Sequence, residues 1–184
     1  LASLKPAGYN EPIRDFETAD IAVKASLTGQ LLLSTLHTND APSAITRLID
    51  MGLEPFLVAS SLSFVCAQRL MRKVCDNCKE PIDIPKETLD KLGFKPKEKK
   101  PVFYKGKGCA KCSNKGYYGR FAILENLIID DKIKEMILDK VPSDKIKEYA
   151  VKEKSMMTLR AAALEHLALG NTTVEEVLRV TAEE

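Results

Sequence analysis

The sequence predicts an α/β fold in residues 1–73, a small cysteine-rich module in residues 74–120 and a helical subdomain in residues 121–184. Three observations lead to this prediction. In the first part, segments with helical apolar periodicity surround one short run that is apolar throughout, as expected for helices layered on a buried strand. The middle part contains two C-x-x-C pairs and is rich in Lys, Pro and Gly. The last part carries helix-capping residues ahead of several periodic segments.

Composition sets limits on size and partners. The chain has 184 residues, of which 45% are hydrophobic, so it can build a core without cross-links. Its 28 basic and 26 acidic residues nearly balance, which gives no argument for nucleic acid or an anionic membrane as the main partner. No apolar run approaches the roughly 20 residues that span a bilayer, and the start resembles no export signal. Because the chain does not begin with Met, we expect either a fragment of a longer protein or a processed chain.

The first helix and the strand after it are predicted with clear boundaries. Asp15 is a suitable N-cap and Gly29 a suitable stop for the helix between them. "QLLLSTL", residues 30–36, is apolar enough for a strand covered on both faces, which is the habit of parallel sheets. Since one strand cannot form a sheet, we expect the remaining strands to lie outside this chain.

Two further helices are expected before the cysteine module. Asn39 or Asp40 opens the first of these, and Gly52 ends it. The other is expected to run from about Pro55 to about Arg72.

Beyond the module, the pattern predicts a strand at "RFAILENLIID" and then only helices. The helices are expected at about residues 131–140, 143–152, 158–169 and 172–181, with the N-caps Ser143, Thr158 and Thr172.

The two C-x-x-C pairs predict a metal site with four sulfur ligands. Cys75 and Cys78 form one pair, and Cys109 and Cys112 form the other. Two such turns facing each other complete a closed tetrahedral site, which has a structural role because no position is left open. Zinc is favoured, iron is the main rival metal, and two redox pairs or local disulfides are the alternative interpretation. The fifth cysteine, Cys66, lies in an apolar stretch and is expected to be a buried, inert side chain.

His37 follows the predicted strand directly. In layered α/β folds, ligands bind at the carboxyl ends of the strands, so His37 is a candidate ligand-binding residue. A surface or helix-capping histidine is the alternative.

Several motifs resemble, in the same order along the chain, those of the secretion ATPases that drive type II secretion and type IV pilus assembly. "STLHTN" resembles the His box of that family, and "CDNC…CAKCSNKGYYGR" resembles its tetracysteine zinc module. "MMTLRAAALEHLALGNTTVEEVLRVT" resembles its C-terminal helical part. The resemblance extends over about residues 13–184.

The resemblance implies part of a RecA-like P-loop ATPase core in a cytoplasmic homo-hexamer that uses ATP and Mg²⁺. It implies attachment to the inner membrane only through a platform protein and other machinery proteins, with no membrane insertion and no nucleic-acid partner. His37 would sense the γ-phosphate, and Arg14 would be a second phosphate or inter-subunit contact. Arg69 and Arg72 would be interface or surface residues. The shared motifs do not distinguish pilus assembly from secretion.

Two departures from the family pattern matter. No G-x-x-x-x-G-K-[ST] occurs, so the loop that cradles phosphates is absent from these residues. Where the family has an apolar strand ending in Gly-Glu, residues 1–12 are atypical and end in "GYNEP", which puts Pro12 at the place of that glutamate. Glu11, one place early, is a weak catalytic candidate. We therefore predict that this chain alone hydrolyses no ATP.

The competing hypothesis is a non-catalytic zinc-ribbon module that docks a protein or nucleic acid through "KPKEKK" and "YKGKG". The near-zero net charge and the absence of aromatic residues within the basic run count against nucleic acid. A third hypothesis is an assembly fragment that binds a membrane platform protein without turnover.

Overall fold

The computed structural model describes residues 12–94 and 101–182. Glu11 and the run "KPKEKK" therefore lie outside the described residues. The helices are α1 Phe16–Leu27, α2 Ala41–Asp50, α3 Pro55–Ser61, α4 Lys86–Lys91, α5 Asp131–Leu138, α6 Ser143–Lys154, α7 Leu159–Ala168 and α8 Val174–Val180. The strands are β1 Phe64–Val74, β2 Lys79–Ile82, β3 Phe103–Gly106 and β4 Tyr117–Ile128, and a short 3₁₀ turn spans Ala110–Cys112.

The described strands form two small sheets. Strands β1 and β4 pair with each other, and β2 pairs with β3 in antiparallel register, from Lys79 opposite Gly106 to Ile82 opposite Phe103. The strand predicted at "RFAILENLIID" is confirmed as part of β4.

Three of the predicted helix caps are confirmed. The side chains of Asp15, Asp40 and Thr158 accept hydrogen bonds from backbone N–H groups in the first turns of α1, α2 and α7. The caps predicted at the other two helices are wrong. Ser143 lies inside α6 and makes no capping bond, and Thr173 rather than Thr172 caps α8. The predicted and observed cap positions differ by one residue in each helix, because neighbouring Pro, Ser and Thr residues offer equivalent start signals.

Two predictions in the first part of the chain are wrong. The third helix ends at Ser61, and the residues from Phe64 onward form β1 instead. Residues 30–36 form no strand in the described structure, and Leu31 and Leu33 are 72% and 59% exposed. A strand buried on both faces needs hydrogen-bonding and packing neighbours; in the described structure Ile13 N donates to Thr35 O at 2.8 Å, but the segment joins neither sheet.

The chain divides into two compact units. Of the described residues, those within Leu1–Ala67 and Asn126–Met156 form the first unit, and those within Gln68–Glu125 and Met157–Glu184 form the second. The boundaries expected at residues 73 and 120 stay a prediction.

The first unit is held together by a core to which five helices contribute. Val23 of α1, Ile45 of α2, Val58 of α3, Ile133 of α5 and Ile146 of α6 are all buried in one cluster. The second unit buries its own apolar residues, which include Met71, Phe103, Ile123, Leu159 and Leu167. Each unit thus carries a core that fixes the elements on which its functional residues lie.

None of the helices in the described part of the chain is both long and apolar enough to cross a bilayer.

Candidate metal centre and the His37 depression

The four paired cysteines meet at one point. Cys75 follows β1 and Cys78 precedes β2, while Cys109 and Cys112 border the 3₁₀ turn after β3. Their four sulfur atoms all lie within 4.8 Å of one another. The structure therefore brings together the complete ligand set that the sequence predicts.

The sulfur geometry fits a tetrahedral metal ion. The Sγ–Sγ distances are 3.8 Å for Cys75–Cys109, 3.8 Å for Cys78–Cys112 and 3.7 Å for Cys109–Cys112. A tetrahedron with metal–sulfur bonds of about 2.3 Å has edges of about 3.8 Å. All four cysteines are free thiols, and these separations far exceed the roughly 2.05 Å of a disulfide bond. The arrangement is that of a closed four-sulfur site rather than of two disulfides.

Hydrogen bonds from N–H groups stabilise negative charge on the second cysteine pair. Cys112 Sγ accepts from the backbone N–H groups of Cys109 at 3.2 Å and Gly116 at 3.3 Å, and these bonds lower the pKa of Cys112 against the opposing effect of burial. Asn77 Nδ2 donates to Cys109 Sγ at 3.3 Å, and this bond is the largest of several that together lower the pKa of Cys109 to about 6. Burial raises the pKa of Cys78 to about 12. Asn77 was missed at the sequence level, although its place inside the first C-x-x-C turn is a signal for such a contact.

Backbone hydrogen bonds join the two cysteine turns to each other. Cys75 N donates to Gly116 O at 3.0 Å, and Lys107 N donates to Cys78 O at 3.0 Å. Gly108 and Gly116 border the second cysteine pair with φ angles of +100° and +75°, a conformation that favours glycine. These backbone bonds help to hold the two turns face to face.

A buried carboxylate anchors the end of β1, next to the metal site. The side chain of Glu176 is fully buried and accepts from Arg72 through its backbone N at 2.7 Å and its Nε at 2.8 Å. Arg179 Nη2 donates to the same carboxylate at 2.6 Å. These hydrogen bonds outweigh burial and lower the pKa of Glu176 to about 2. The Arg72 guanidinium also lies 4.2 Å from the centre of the Tyr117 ring, so this arginine makes contacts within its own chain.

His37 lies in the loop that leads into α2. Its side chain is exposed, while the loop itself is anchored, because Thr38 Oγ1 donates to Asp40 O at 3.1 Å and Asp40 caps α2 through Ser43 N at 2.9 Å. The imidazole borders an open depression of about 360 Å³. His37 is therefore presented to solvent on a fixed loop at a helix N-terminus.

One polar face of α2 forms a wall of the same depression. Ser43, Thr46, Arg47 and Asp50 line it, and their spacing of three and four residues puts them on one side of the helix. Arg47 is a functional candidate that was missed at the sequence level, although the polar stripe in "PSAITRLID" is visible in the sequence. A guanidinium and an imidazole that line one depression are suitable donors for phosphate oxygens.

The other two sequence candidates are less well placed. Arg14 is exposed, precedes α1 and is not among the residues that line the depression within the described part of the chain. Its neighbour Ile13 pairs with Thr35, two residues before His37, so the segment that carries Arg14 runs beside the histidine loop. Glu11 lies outside the described residues.

Comparison with known proteins identifies a family that this sequence matches. Residues 11–179 match the family described as "Type II/IV secretion system protein". Over 172 residues the chain is 48% identical to the type II secretion system ATPase E of Vibrio cholerae. This aligned region covers 93% of this chain and 33% of that protein. It is also 48% identical over 172 residues to the type IV pilus assembly ATPase PilB of Thermus thermophilus. This second aligned region covers 93% of this chain and 19% of that protein.

Solved structures share the fold at low sequence identity. The ATPase DotB of Legionella pneumophila superposes with a TM-score of 0.60 at 16% identity, covering 95% of this chain and 38% of that one. The pilus retraction motor PilT, solved with bound ADP, superposes with a TM-score of 0.61 at 19% identity. The superposition covers 94% of this chain and 38% of the PilT chain.

The fold-class prediction is confirmed by these likenesses: the chain is α/β, carries part of a RecA-like core and contains a tetracysteine cluster. It spans between about a fifth and a third of the length of the two curated relatives compared above. The match over residues 11–179 and the identity of 48% show that this chain belongs to the type II/IV secretion system protein family.

Proposed function

We propose that this chain is the C-terminal part of a cytoplasmic, homo-hexameric motor ATPase that powers type IV pilus assembly or type II protein secretion. The motor would act through an inner-membrane platform protein and would not insert into the membrane itself. The observation that carries the proposal is the depression that His37 and Arg47 both line, His37 just before α2 and Arg47 in its last turn. The names of relatives at 48% identity, all ATPases of such machines, support the same assignment.

In this proposal His37 senses the terminal phosphate of bound ATP. An imidazole N–H donates a hydrogen bond to a phosphate oxygen and loses that partner once the phosphate leaves. Arg47 adds a permanent positive charge to the same depression. Arg14 is assigned the role of a second phosphate contact or a contact to the neighbouring subunit, and Glu11 that of a weak catalytic candidate.

The remaining catalytic parts are expected from outside these 184 residues. Phosphoryl transfer depends on positioning the phosphates and neutralising their charge, which a P-loop lysine and Mg²⁺ do in such enzymes. No G-x-x-x-x-G-K-[ST] is present in this sequence, so ATP and Mg²⁺ would be held mainly by residues of the longer protein.

The four-sulfur site is proposed to hold structural Zn²⁺. Four thiolates at tetrahedral spacing suit zinc, with iron as the alternative metal for the same ligands. Because β2, β3 and the cysteine turns bury few large apolar side chains, metal binding would supply much of the free energy that folds them.

ATP turnover by the full-length protein that contains this chain tests the proposed role of His37. We expect His37→Ala to lower kcat by at least about tenfold, because the variant no longer senses the terminal phosphate of bound ATP. Gln30→Ala is the matched control, since Gln30 is an exposed polar residue in the same segment and does not line the depression. Equal kcat values for wild type and His37→Ala would overturn the assignment.

A further inference from the structure

We propose that Lys147, on α6, is a positioning residue for the His37 loop. It acts on the histidine through Asp40, the residue that both ends the loop and caps α2. The inference rests on the proposed function of His37, and it adds a residue 110 positions further along the chain to the control of that site.

The contact is direct and specific. Lys147 Nζ lies 3.0 Å from Asp40 Oδ2, while Asp40 Oδ1 accepts from Ser43 N at 2.9 Å. The two carboxylate oxygens thus have different partners, one on α2 and one on α6. The carbonyl of the same aspartate accepts from Thr38 Oγ1 at 3.1 Å, next to His37 in the chain. Any displacement of Asp40 is therefore passed to both sides of the loop.

Burial distinguishes this ion pair from the other pairs on α6. The side chains of Lys147 and Asp40 are 22% and 17% exposed. Lys145 and Lys152 pair with Glu148 on the same helix, but their side chains are 61% and 65% exposed. Pairs in water couple weakly, whereas a pair largely withdrawn from water holds its geometry more firmly. Lys147 is thus suited to fixing a loop, and Lys145 is not.

Helix α6 is itself held rigidly against the elements that carry the loop. Ile146 and Ala150 are buried in the core that also contains Ile45 of α2. Ser143, one turn before Lys147, lines the depression beside His37. One face of α6 therefore supplies both a wall of the depression and the cation that restrains the loop.

The first test is nuclear magnetic resonance of the two histidine rings in the 184-residue chain, in the absence of nucleotide. The chain has only two histidines, so His166 serves as an internal reference. In Lys147→Met we expect the His37 ring signals to shift and to broaden from microsecond-to-millisecond motion, with those of His166 unchanged. Lys147→Arg should restore the wild-type signals, and Lys145→Met should leave them unaffected.

Two further variants make the test decisive. Asp40→Asn keeps an acceptor for the helix cap and removes the charge, so it should reproduce the effect of Lys147→Met. The double variant should show less than the sum of the two single effects, because both changes break the same ion pair. His37 signals in Lys147→Met that superimpose on wild type, or effects of the two changes that simply add, would overturn the proposal. If Lys147→Met does not fold, Asp40→Asn decides between these outcomes.

The second test is ATP turnover by the full-length protein. Lys147→Met should lower kcat about fivefold with KM nearly unchanged, since a mispositioned loop impairs the reacting complex more than substrate binding. Lys145→Met should match wild type, and equal kcat values for the two lysine variants would contradict the proposal. If the unmodified protein hydrolyses no ATP, the proposed function fails, while the resonance experiment still decides whether Lys147 holds the loop.

Discussion

Gly106 and Gly116 approach each other so closely that neither leaves room for a side chain. A Cβ atom built on Gly106 would lie 2.0 Å from the carbonyl oxygen of Gly116 and 2.5 Å from its Cα. The same carbonyl oxygen accepts the backbone N–H of Cys75, the first residue of the cysteine cluster. The crossing of these two glycines therefore sets the distance between the two halves of the metal site.

Gly106→Ala is expected to disrupt the metal module. Real Cβ atoms essentially never come within 3.0 Å of another heavy atom, so the backbones must separate. We expect a loss of about 3 kcal/mol or more in the free energy of unfolding, because the clash is with backbone that cannot rotate away. Denaturant unfolding of the metal-loaded chain measures this loss.

Gly119→Ala is the matched control for that variant. Gly119 has a φ of +82° but open space around its Cβ position, so only the conformational strain of about 1 kcal/mol is expected. A loss for Gly106→Ala no larger than that for Gly119→Ala would show that the close crossing is not a constraint.

One metal ion per chain is expected in protein purified under reducing, metal-replete conditions. Cys112→Ser should reduce the bound zinc strongly and expose the module to proteolysis, because three sulfurs do not close the site. Cys66→Ser is the control, because Cys66 lies outside the cluster. The sequence-based prediction that Cys66 is buried is wrong: it is exposed, since it lies on the open face of β1. Metal analysis by mass spectrometry decides, and full zinc content in Cys112→Ser would contradict the assignment of this ligand.

Glu176→Gln should destabilise the chain in a manner that depends on pH. The pKa of Glu176 in the folded chain is about 2, well below the ordinary value of 4.5. The ionised carboxylate therefore contributes stability that is fully present above the ordinary value and is lost as pH falls from about 5 towards 2. At pH 7 we expect a loss of about 2 kcal/mol, because the carboxylate is buried while both arginine partners are half exposed.

Thermal unfolding across this pH range provides the measurement. The difference between wild type and Glu176→Gln should shrink as pH falls towards 2.5, whereas Glu135→Gln, in an exposed pair with Lys132, should differ little from wild type throughout. A difference for Glu176→Gln that stays constant with pH would rule out the ionised carboxylate as its source.

Thr46→Val should leave the stability of the chain unchanged or raise it by up to about 1 kcal/mol. Within the described residues, the buried Thr46 hydroxyl oxygen has no hydrogen-bond partner, so a methyl group of similar size removes a desolvation cost. Chemical denaturation without nucleotide tests this. A clear loss of stability would show that the hydroxyl has a partner in the folded chain.

The sequence carries enough information to predict the parts of the structure that depend on neighbouring residues. Asp15, Asp40 and Thr158 were recognised as helix caps because a cap acts on the first turn that follows it. The clustering of the four cysteines was predicted because two C-x-x-C turns can face each other at any separation along the chain.

The features that were missed depend on residues far apart in the sequence. The residues from Phe64 onward have apolar positions that fit helix and strand periods alike, and only pairing with β4 selects the strand. Glu176 lies 104 residues from Arg72, so nothing local to either side chain indicates their contact. Arg47 belongs to a polar stripe that is visible in the sequence, but that it shares a depression with His37 depends on the course of the loop that precedes α2.

ATP hydrolysis measured side by side for the full-length protein and for the zinc-loaded 184-residue chain tests the central claim most directly. The proposed function predicts turnover by the full-length protein that depends on His37, and none by the chain alone, which contains no P-loop sequence. Turnover by the isolated chain, or a correctly folded full-length protein that hydrolyses no ATP, would contradict it.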